Sequence, residues 1–182
     1  ENLKLKRLII YSSIIGVASL SAAWLAQPFF KFIDIPLYYY GILWAFLNLT
    51  AGIGSYRSHE IEKKYNVENV FLKLGILMSI SFLLVYFLPN LFGIIFISII
   101  YCIRGILTPI LKNNINLNTE SKTRATVMSV RSFILRVLFA ILAPFLGLIA
   151  DNEGISDSFL LVSVLMILFS SVAILQLKRV KE

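Results

Sequence analysis

Long apolar stretches alternate with short polar loops along the chain. Each stretch is about 20 residues long, the length that an α-helix needs to cross a hydrocarbon core of about 30 Å at a rise of 1.5 Å per residue. Because six such stretches fill most of the 182 residues, we expect one six-helix transmembrane domain over residues 1–182. The predicted spans are 8–27, 37–56, 70–88, 91–111, 125–150 and 158–177.

The basic residues of the loops alternate between the two predicted sides of the membrane. Lys and Arg occur at the N-terminus, in the second and fourth loops and at the C-terminus, whereas the opposite loops contain only Lys31. Loops rich in Lys and Arg are usually cytoplasmic, so both termini are predicted to be cytoplasmic. The basic side comprises Lys4, Lys6, Arg7, Arg57, Lys63, Lys64, Lys112, Lys122, Arg124, Lys178, Arg179 and Lys181.

The composition supports a membrane protein and argues against other classes. Hydrophobic residues make up 58% of the chain, with a mean hydropathy of +0.84, above the range of soluble domains. The net charge of +7 lies at helix ends rather than along one stripe, so no nucleic-acid partner is expected. His59 and Cys102 are the only residues of their types, and no Walker-type phosphate-binding motif occurs. We therefore expect no enzyme, no metal and no cofactor.

Small and polar residues recur on one helical face in four of the spans. Lipid-facing positions favour large aliphatic side chains, so these faces are predicted to point inward, either for tight packing or to line a cavity. Spans one, two, four and five are therefore predicted to be interior, and spans three and six to face lipid. A three-helix pattern that occurs twice predicts two inverted three-helix repeats. The faces comprise Ser12, Gly16, Ser19, Ala23 and Gln27; Gly41, Ala45, Asn48, Gly52 and Ser55; Tyr101, Arg104 and Thr108; and Ser129, Ser132, Arg136, Ala140, Ala143, Gly147 and Asp151.

Three arginines lie inside the predicted spans. Arg104 is seven residues before Leu111, about 10 Å deep, and either reaches the cytoplasmic headgroups or faces a water-filled cavity. Arg136 shares a face with small residues and is predicted to point inward. Arg131 is in line with leucines near a helix end and is predicted to extend to the membrane interface.

Three segments carry a resemblance to a known family. They are the helix with Pro109, the loop INLNTESKTRATVMS at 115–129, and the pattern Ala-x-x-x-Pro-x-x-Gly-x-x-x-Asp that ends at Asp151. These segments are similar to the tenth and eleventh helices of bacterial major facilitator superfamily transporters, with Arg124 as the loop arginine. Residues 52–64 resemble a loop motif that clamps helix ends, with Arg57 in its basic part but no acidic residue beside Gly54 and Tyr56.

The resemblance implies that the chain forms helices seven to twelve of such a transporter, in a bacterial cytoplasmic (inner) membrane. Spans one and four would then line the substrate cavity, two and five would lie between the two halves, and three and six would face lipid. The implied substrate contacts are Trp24, Gln27, Asn48, Tyr101 and Arg104, with Arg136 as an ion-pair or substrate partner. The implied gating and packing residues are Gly52, Arg57, Arg124, Pro144, Gly147 and Asp151.

The sequence thus predicts the C-terminal half of a secondary-active transporter for a small-molecule substrate. Its expected partners are the lipid bilayer and either a missing N-terminal six-helix half or a second copy of the chain. One alternative is a standalone six-helix protein that dimerises as a pore or carrier, and another is a membrane scaffold that transports nothing. The chain begins at Glu1 rather than Met. The transporter-half hypothesis expects six further spans upstream of Glu1, whereas the standalone hypothesis expects a start codon near Glu1.

Overall fold

The computed structural model describes residues 3–178, with side chains described for residues 3–171. Six long helices account for nearly all of this part of the chain, which contains no strand, so the prediction of six helices is confirmed. Arg179 and Lys181, predicted to lie on the basic side, are outside the described residues. The helices are α1 (Leu3–Phe32), α2 (Tyr40–Lys64), α3 (Val67–Phe87), α4 (Leu91–Leu117), α5 (Arg124–Asn152) and α6 (Ile155–Lys178), with one 3-10 turn at Leu37–Tyr39.

Four of the helices, α1, α3, α4 and α5, are long and apolar enough to cross a membrane, which is consistent with an integral membrane protein. In α6 the described apolar segment is Ile155–Ser171. The remaining helix, α2, is more polar because Asn48, Thr50 and Ser55 interrupt its apolar residues.

Short connections give consecutive helices opposite directions. Two of the helices are capped by asparagine: the Asn66 Oδ1 accepts a hydrogen bond from the Glu68 amide at 3.0 Å, and the Asn90 Oδ1 from the Phe92 amide at 2.9 Å. At the end of α5 the chain turns through Gly154, whose φ of 120° favours glycine. Alternating directions place the end of α2, the end of α4 and the start of α5 together, and we call this the basic end.

The helices α1 and α4 occupy the middle of the bundle. Helix α1 packs against α4, α5 and α6, while α4 packs against α1, α2 and α3, and α3 packs against α6. Buried hydroxyl groups donate to backbone carbonyls across three of the helix pairs, as is common between helices in membranes. The bonds join the Tyr11 hydroxyl to the Phe71 oxygen at 2.7 Å, the Ser158 hydroxyl to the Leu146 oxygen at 2.8 Å, and the Ser163 hydroxyl to the Ser79 oxygen at 2.9 Å.

The predicted division into interior and peripheral helices is right for α1 and α4, which bury side chains along their length, but wrong for α2, α3 and α5. Helix α2 buries only Leu47, Gly54 and Ser58, and α5 buries only Arg131 and Leu146. Helix α3, predicted to be peripheral, buries side chains along its whole length against α4 and α6. The physical reason is that no described helix covers the small-residue faces of α2 and α5, so these faces are open.

Candidate functional site

Helices α2 and α4 approach one another closely because each presents a glycine to the backbone of the other. A Cβ atom at Gly54 would meet the carbonyl of Cys102, and one at Gly105 would meet the carbonyl of Ala51. The Thr50 hydroxyl also donates to the Ser98 oxygen of α4 at 3.2 Å. Glycine at such crossings allows two backbones to touch, so the relative position of α2 and α4 is tightly fixed.

A groove of about 390 Å³ runs along the open side of this helix pair. Arg104, Thr108 and Lys112 follow one another at intervals of four along α4 and form one wall. The opposite wall is part of the small-residue face of α2. The full lining is Asn48, Ala51, Gly52, Ser55, Arg104, Gly105, Thr108, Pro109 and Lys112.

Arg104 carries a positive charge in the middle of α4. It is the midpoint of Leu91–Leu117 and thus about 20 Å from either end of the helix. Its guanidinium carbon lies 5.4 Å from the centre of the Tyr101 ring, within the range of a cation–π interaction. Among the described residues no carboxylate pairs with Arg104. The groove therefore holds two cationic side chains, Arg104 and Lys112, and no Asp or Glu.

Next to the groove residues Asn48 and Arg104, the buried Tyr101 and the half-buried Trp44 form an aromatic pair with unused polar atoms. Their ring centres are 6.2 Å apart in an edge-to-face arrangement, and Tyr101 is fully buried. Neither the Tyr101 hydroxyl nor the Trp44 Nε1 has a hydrogen-bond partner in the described structure. The Asn48 amide donates to the Trp44 carbonyl oxygen at 2.8 Å. The structure thus brings together Asn48, Tyr101 and Arg104 of the predicted substrate contacts.

The other predicted substrate contacts lie elsewhere. Trp24 is 70% exposed on α1, where its ring centre is 6.1 Å from that of Phe139 on α5. Gln27 and Arg136 are exposed on α1 and α5, and none of these three predicted contacts lines the groove. The six predicted residues therefore fall into one group on α2 and α4 and another on the surface of α1 and α5.

Arg131 differs from its prediction. It is 7% exposed rather than extended to the membrane interface, and its Nε donates a hydrogen bond to the Ser12 hydroxyl of α1. A Cβ atom at Gly16 would meet the Leu135 side chain, so α1 and α5 approach closely one turn further along. The missing side chain of Gly16 lets α5 come near enough to α1 for Ser12 to reach Arg131.

The predicted gating and packing residues are all on the surface. Gly52 and Gly147 face open space: apart from the neighbouring backbone of the same helix, no atom of the described residues lies within 4 Å of a Cβ built at either position. Pro144 is exposed inside α5. Arg57 and Arg124 are exposed towards the basic end, and Asp151 is exposed at the opposite end of α5. Their gating roles stay predictions.

A polar contact at the basic end escaped the sequence analysis. One carboxylate oxygen of Glu62 on α2 accepts hydrogen bonds from the side-chain amides of Asn113 and Asn114 on α4, each at 2.9 Å. Glu62 lies in the last turn of α2, so this contact joins the C-terminal end of α2 to that of α4. The run of amides at 113–118 was the signal that could have revealed this contact.

Within the described residues, no three His, Cys, Asp or Glu side chains are grouped as a metal ion would require. Comparison with known proteins finds no matching family model, no significantly similar curated protein and no significantly similar solved structure. The interpretation of the groove therefore depends on the chemistry of its own side chains.

Proposed function

We propose that the chain is the C-terminal six-helix half of a secondary-active transporter, which moves a small solute by alternating access. The way in which the helices pair carries this proposal. Helices α1, α2 and α3 of the first repeat would correspond to α4, α5 and α6 of the second. Under this exchange, each packed helix pair corresponds to another pair that is also in contact. The α1–α5 contact corresponds to α2–α4, the α1–α6 contact to α3–α4, and the α5–α6 contact to α2–α3. The α1–α4 and α3–α6 contacts map onto themselves. Such a pattern supports two three-helix repeats, which are inverted because three is odd.

The open face of α5 supports the need for a second half. Arg136 is twelve residues beyond Arg124, about 18 Å along the helix, and its side chain is exposed. A charge in contact with lipid at the middle of a span costs about 2.5 to 3.5 kcal/mol or more. We infer that protein or water, rather than lipid, covers this face in the complete protein. Gly147, which faces open space on the same helix, would allow a close approach there.

The open face of α2 supports the same arrangement from the other repeat. Helix α2 takes the place of α5 when the repeats are exchanged, and it also leaves a small-residue face uncovered. In the arrangement that the major facilitator resemblance implies, these two helices meet the other half of the transporter. Rocking of the halves would then expose the α2–α4 groove, with Arg104 at the end away from Lys112, to each side of the membrane in turn.

The proposal is tested by following water access to the groove in the complete protein that contains this chain. Cys102 is the only cysteine of the chain, so Cys102→Ala, together with replacement of every cysteine elsewhere in the complete protein, provides a background for Asn48→Cys and Arg136→Cys. In proteoliposomes, we expect an impermeant maleimide to label both positions, and an imposed proton or sodium gradient to change the side from which Asn48→Cys reacts. The matched control is Ile80→Cys on α3. The Ile80 side chain is exposed but lies on neither α2 nor α5, so a cysteine at this position should face lipid and react slowly.

Flux measurements on the same proteoliposomes complete the test. Gradient-dependent uptake of a solute from a metabolite mixture supports the transporter. Unchanged labelling under every gradient, together with no uptake, would contradict it. Efficient cross-linking between Arg136→Cys residues of two molecules would favour a dimer of this six-helix unit, since a second copy could also cover the open faces.

A further inference from the structure

We propose that the α2–α4 groove binds a small organic anion, through Arg104 and Lys112, and that this anion is the transported solute. The second part rests on the proposed function, whereas the binding of the anion does not. The expected ligand carries a carboxylate or phosphate group on a small polar molecule.

The charge of the groove is one-sided. Arg104 and Lys112 lie two helical turns apart on the same wall, and no acidic residue contributes to the lining. The nearest carboxylate of α2 along the chain, Glu60, is exposed beyond the groove, and Glu62 is held by Asn113 and Asn114. An unneutralised guanidinium at the centre of a long apolar helix is costly, and an anionic ligand in the groove would offset that cost.

The other polar groups of the groove are suited to hydrogen bonding with an anion. Ser55 and Thr108 present hydroxyl groups, and the Asn48 amide has a second hydrogen beyond the one that it donates to the Trp44 carbonyl. Arg104 offers the planar fork that binds carboxylate or phosphate in a bidentate manner. Beside it, the Tyr101 ring centre lies 5.4 Å from the Arg104 guanidinium carbon, and the buried Tyr101 hydroxyl has no hydrogen-bond partner in the described structure.

The position of Arg104 favours a solute over a lipid headgroup. Lys112 marks the basic end of the groove, within reach of headgroup phosphates. Arg104 lies eight residues deeper, about 12 Å along the axis, where a lipid anchored at the interface presents its acyl chains. The volume of about 390 Å³ is at the small end of the range for ligand pockets and suits a compact solute.

The test measures protection of a cysteine in the groove. The complete protein, with Cys102→Ala and every cysteine outside this chain replaced, carries Ser55→Cys in nanodiscs of phosphatidylcholine. The rate of maleimide labelling is followed without any gradient. The probes are phosphate, sulfate, glucose 6-phosphate, succinate, malate and citrate, with glucose and succinamide as neutral analogues. We expect at least one organic anion to slow labelling in a saturable manner while its neutral analogue does not. Lys31→Cys, exposed at the far end of α1, should be unaffected.

Variants separate the groove from general charge effects. Arg104→Gln should lower the affinity of the groove for the protecting anion by about ten- to hundredfold, as expected for loss of a charged hydrogen-bond donor. Lys63→Gln removes an equal charge from an exposed position outside the groove and should leave protection unchanged. Loss of protection in both variants, or in neither, would overturn the proposal.

The remaining outcomes identify other occupants. Protection by phosphatidylglycerol nanodiscs but by no soluble anion would assign the groove to a lipid headgroup and overturn the proposal. The proposal would also be overturned if the neutral analogues protected the cysteine as well as the anions did, or if no probe protected it. Protection by an anion without gradient-dependent flux would leave the binding site standing and remove the transport role. Flux of a neutral or cationic solute without protection by any anion would overturn this proposal and leave the proposed transporter function standing.

Discussion

Two arginines on α5 show how strongly the surroundings of a residue determine its part in the structure. Arg131 is buried against α1 and donates to Ser12, whereas Arg136, five residues later, is exposed on a face that no described helix covers. Both are cations within a helix that is apolar enough to cross a membrane. Arg131 therefore contributes to the packing of α5 against α1. The exposed Arg136 is instead available to contact the protein or water that covers α5.

The contact between Arg131 and Ser12 leads to a prediction for stability. Ser12→Ala removes the acceptor and leaves a buried guanidinium without it, so we expect the free energy of unfolding in detergent to fall by about 1 to 3 kcal/mol. The control is Ser13→Ala, since that buried hydroxyl donates only to the Ile9 carbonyl of its own helix and should matter less. Adding Arg131→Leu to Ser12→Ala should restore part of the loss. No recovery in the double variant would contradict the pairing.

At the scale of the helix, hydropathy predicted the elements but not the faces that they bury. Each apolar stretch became a helix because the length and composition of a span suffice to define one. The faces were harder, since a glycine is equally suited to a close helix crossing and to an open surface. Gly54 touches the backbone of Cys102, yet Gly52, two residues before it, faces open space. Nothing in the local sequence distinguishes these two glycines, because the difference depends on which helix lies opposite.

The α2–α4 crossing predicts that substitution of Gly105 destabilises the protein and that substitution of Gly52 does not. Gly105→Ala would drive a methyl group into the Ala51 backbone, so we expect a loss of about 1 to 3 kcal/mol in unfolding free energy and less monodisperse protein in size-exclusion chromatography. Gly52→Ala places the same methyl group in open space and should leave folding unchanged. Similar behaviour of the two variants would mean that α2 and α4 do not cross as described.

The contact at the basic end predicts a local change in dynamics. Glu62→Ala removes the acceptor shared by Asn113 and Asn114, so the last turns of α2 and α4 should separate more often. Hydrogen exchange of the backbone amides at 60–64 and 113–117 should then become faster, while the middle of both helices is unchanged. Glu60→Ala, an exposed carboxylate on the same helix, serves as the control. Equal exchange in both variants would show that Glu62 does not hold the helix ends together.

For the whole molecule, the open faces of α2 and α5 are the features from which the proposed second half is argued. A bundle that buries its polar residues needs nothing further, but this one leaves Asn48, Ser55 and Arg136 uncovered while its apolar core is closed around α1, α3, α4 and α6. The sequence revealed which residues are small or polar. It could not reveal that they lie outside the packed core, because that depends on the arrangement of all six helices.

The α5 face therefore predicts a variant that harms transport without harming the fold. Gly147→Leu adds a large side chain where, apart from the backbone of α5 itself, no atom of the described residues lies within 4 Å of the new Cβ. The purified complete protein should therefore stay monodisperse with unchanged thermal stability. If the second half of a transporter closes over α5, the added side chain should block that closure and lower flux at least about tenfold, which corresponds to about 1.4 kcal/mol in the closing equilibrium. Ile80→Phe, a similar enlargement on the exposed side of α3, should leave flux intact because lipid accommodates it. Normal flux with Gly147→Leu would mean that no second half closes over α5 at Gly147. The exposed charge of Arg136 would then have to be in contact with water.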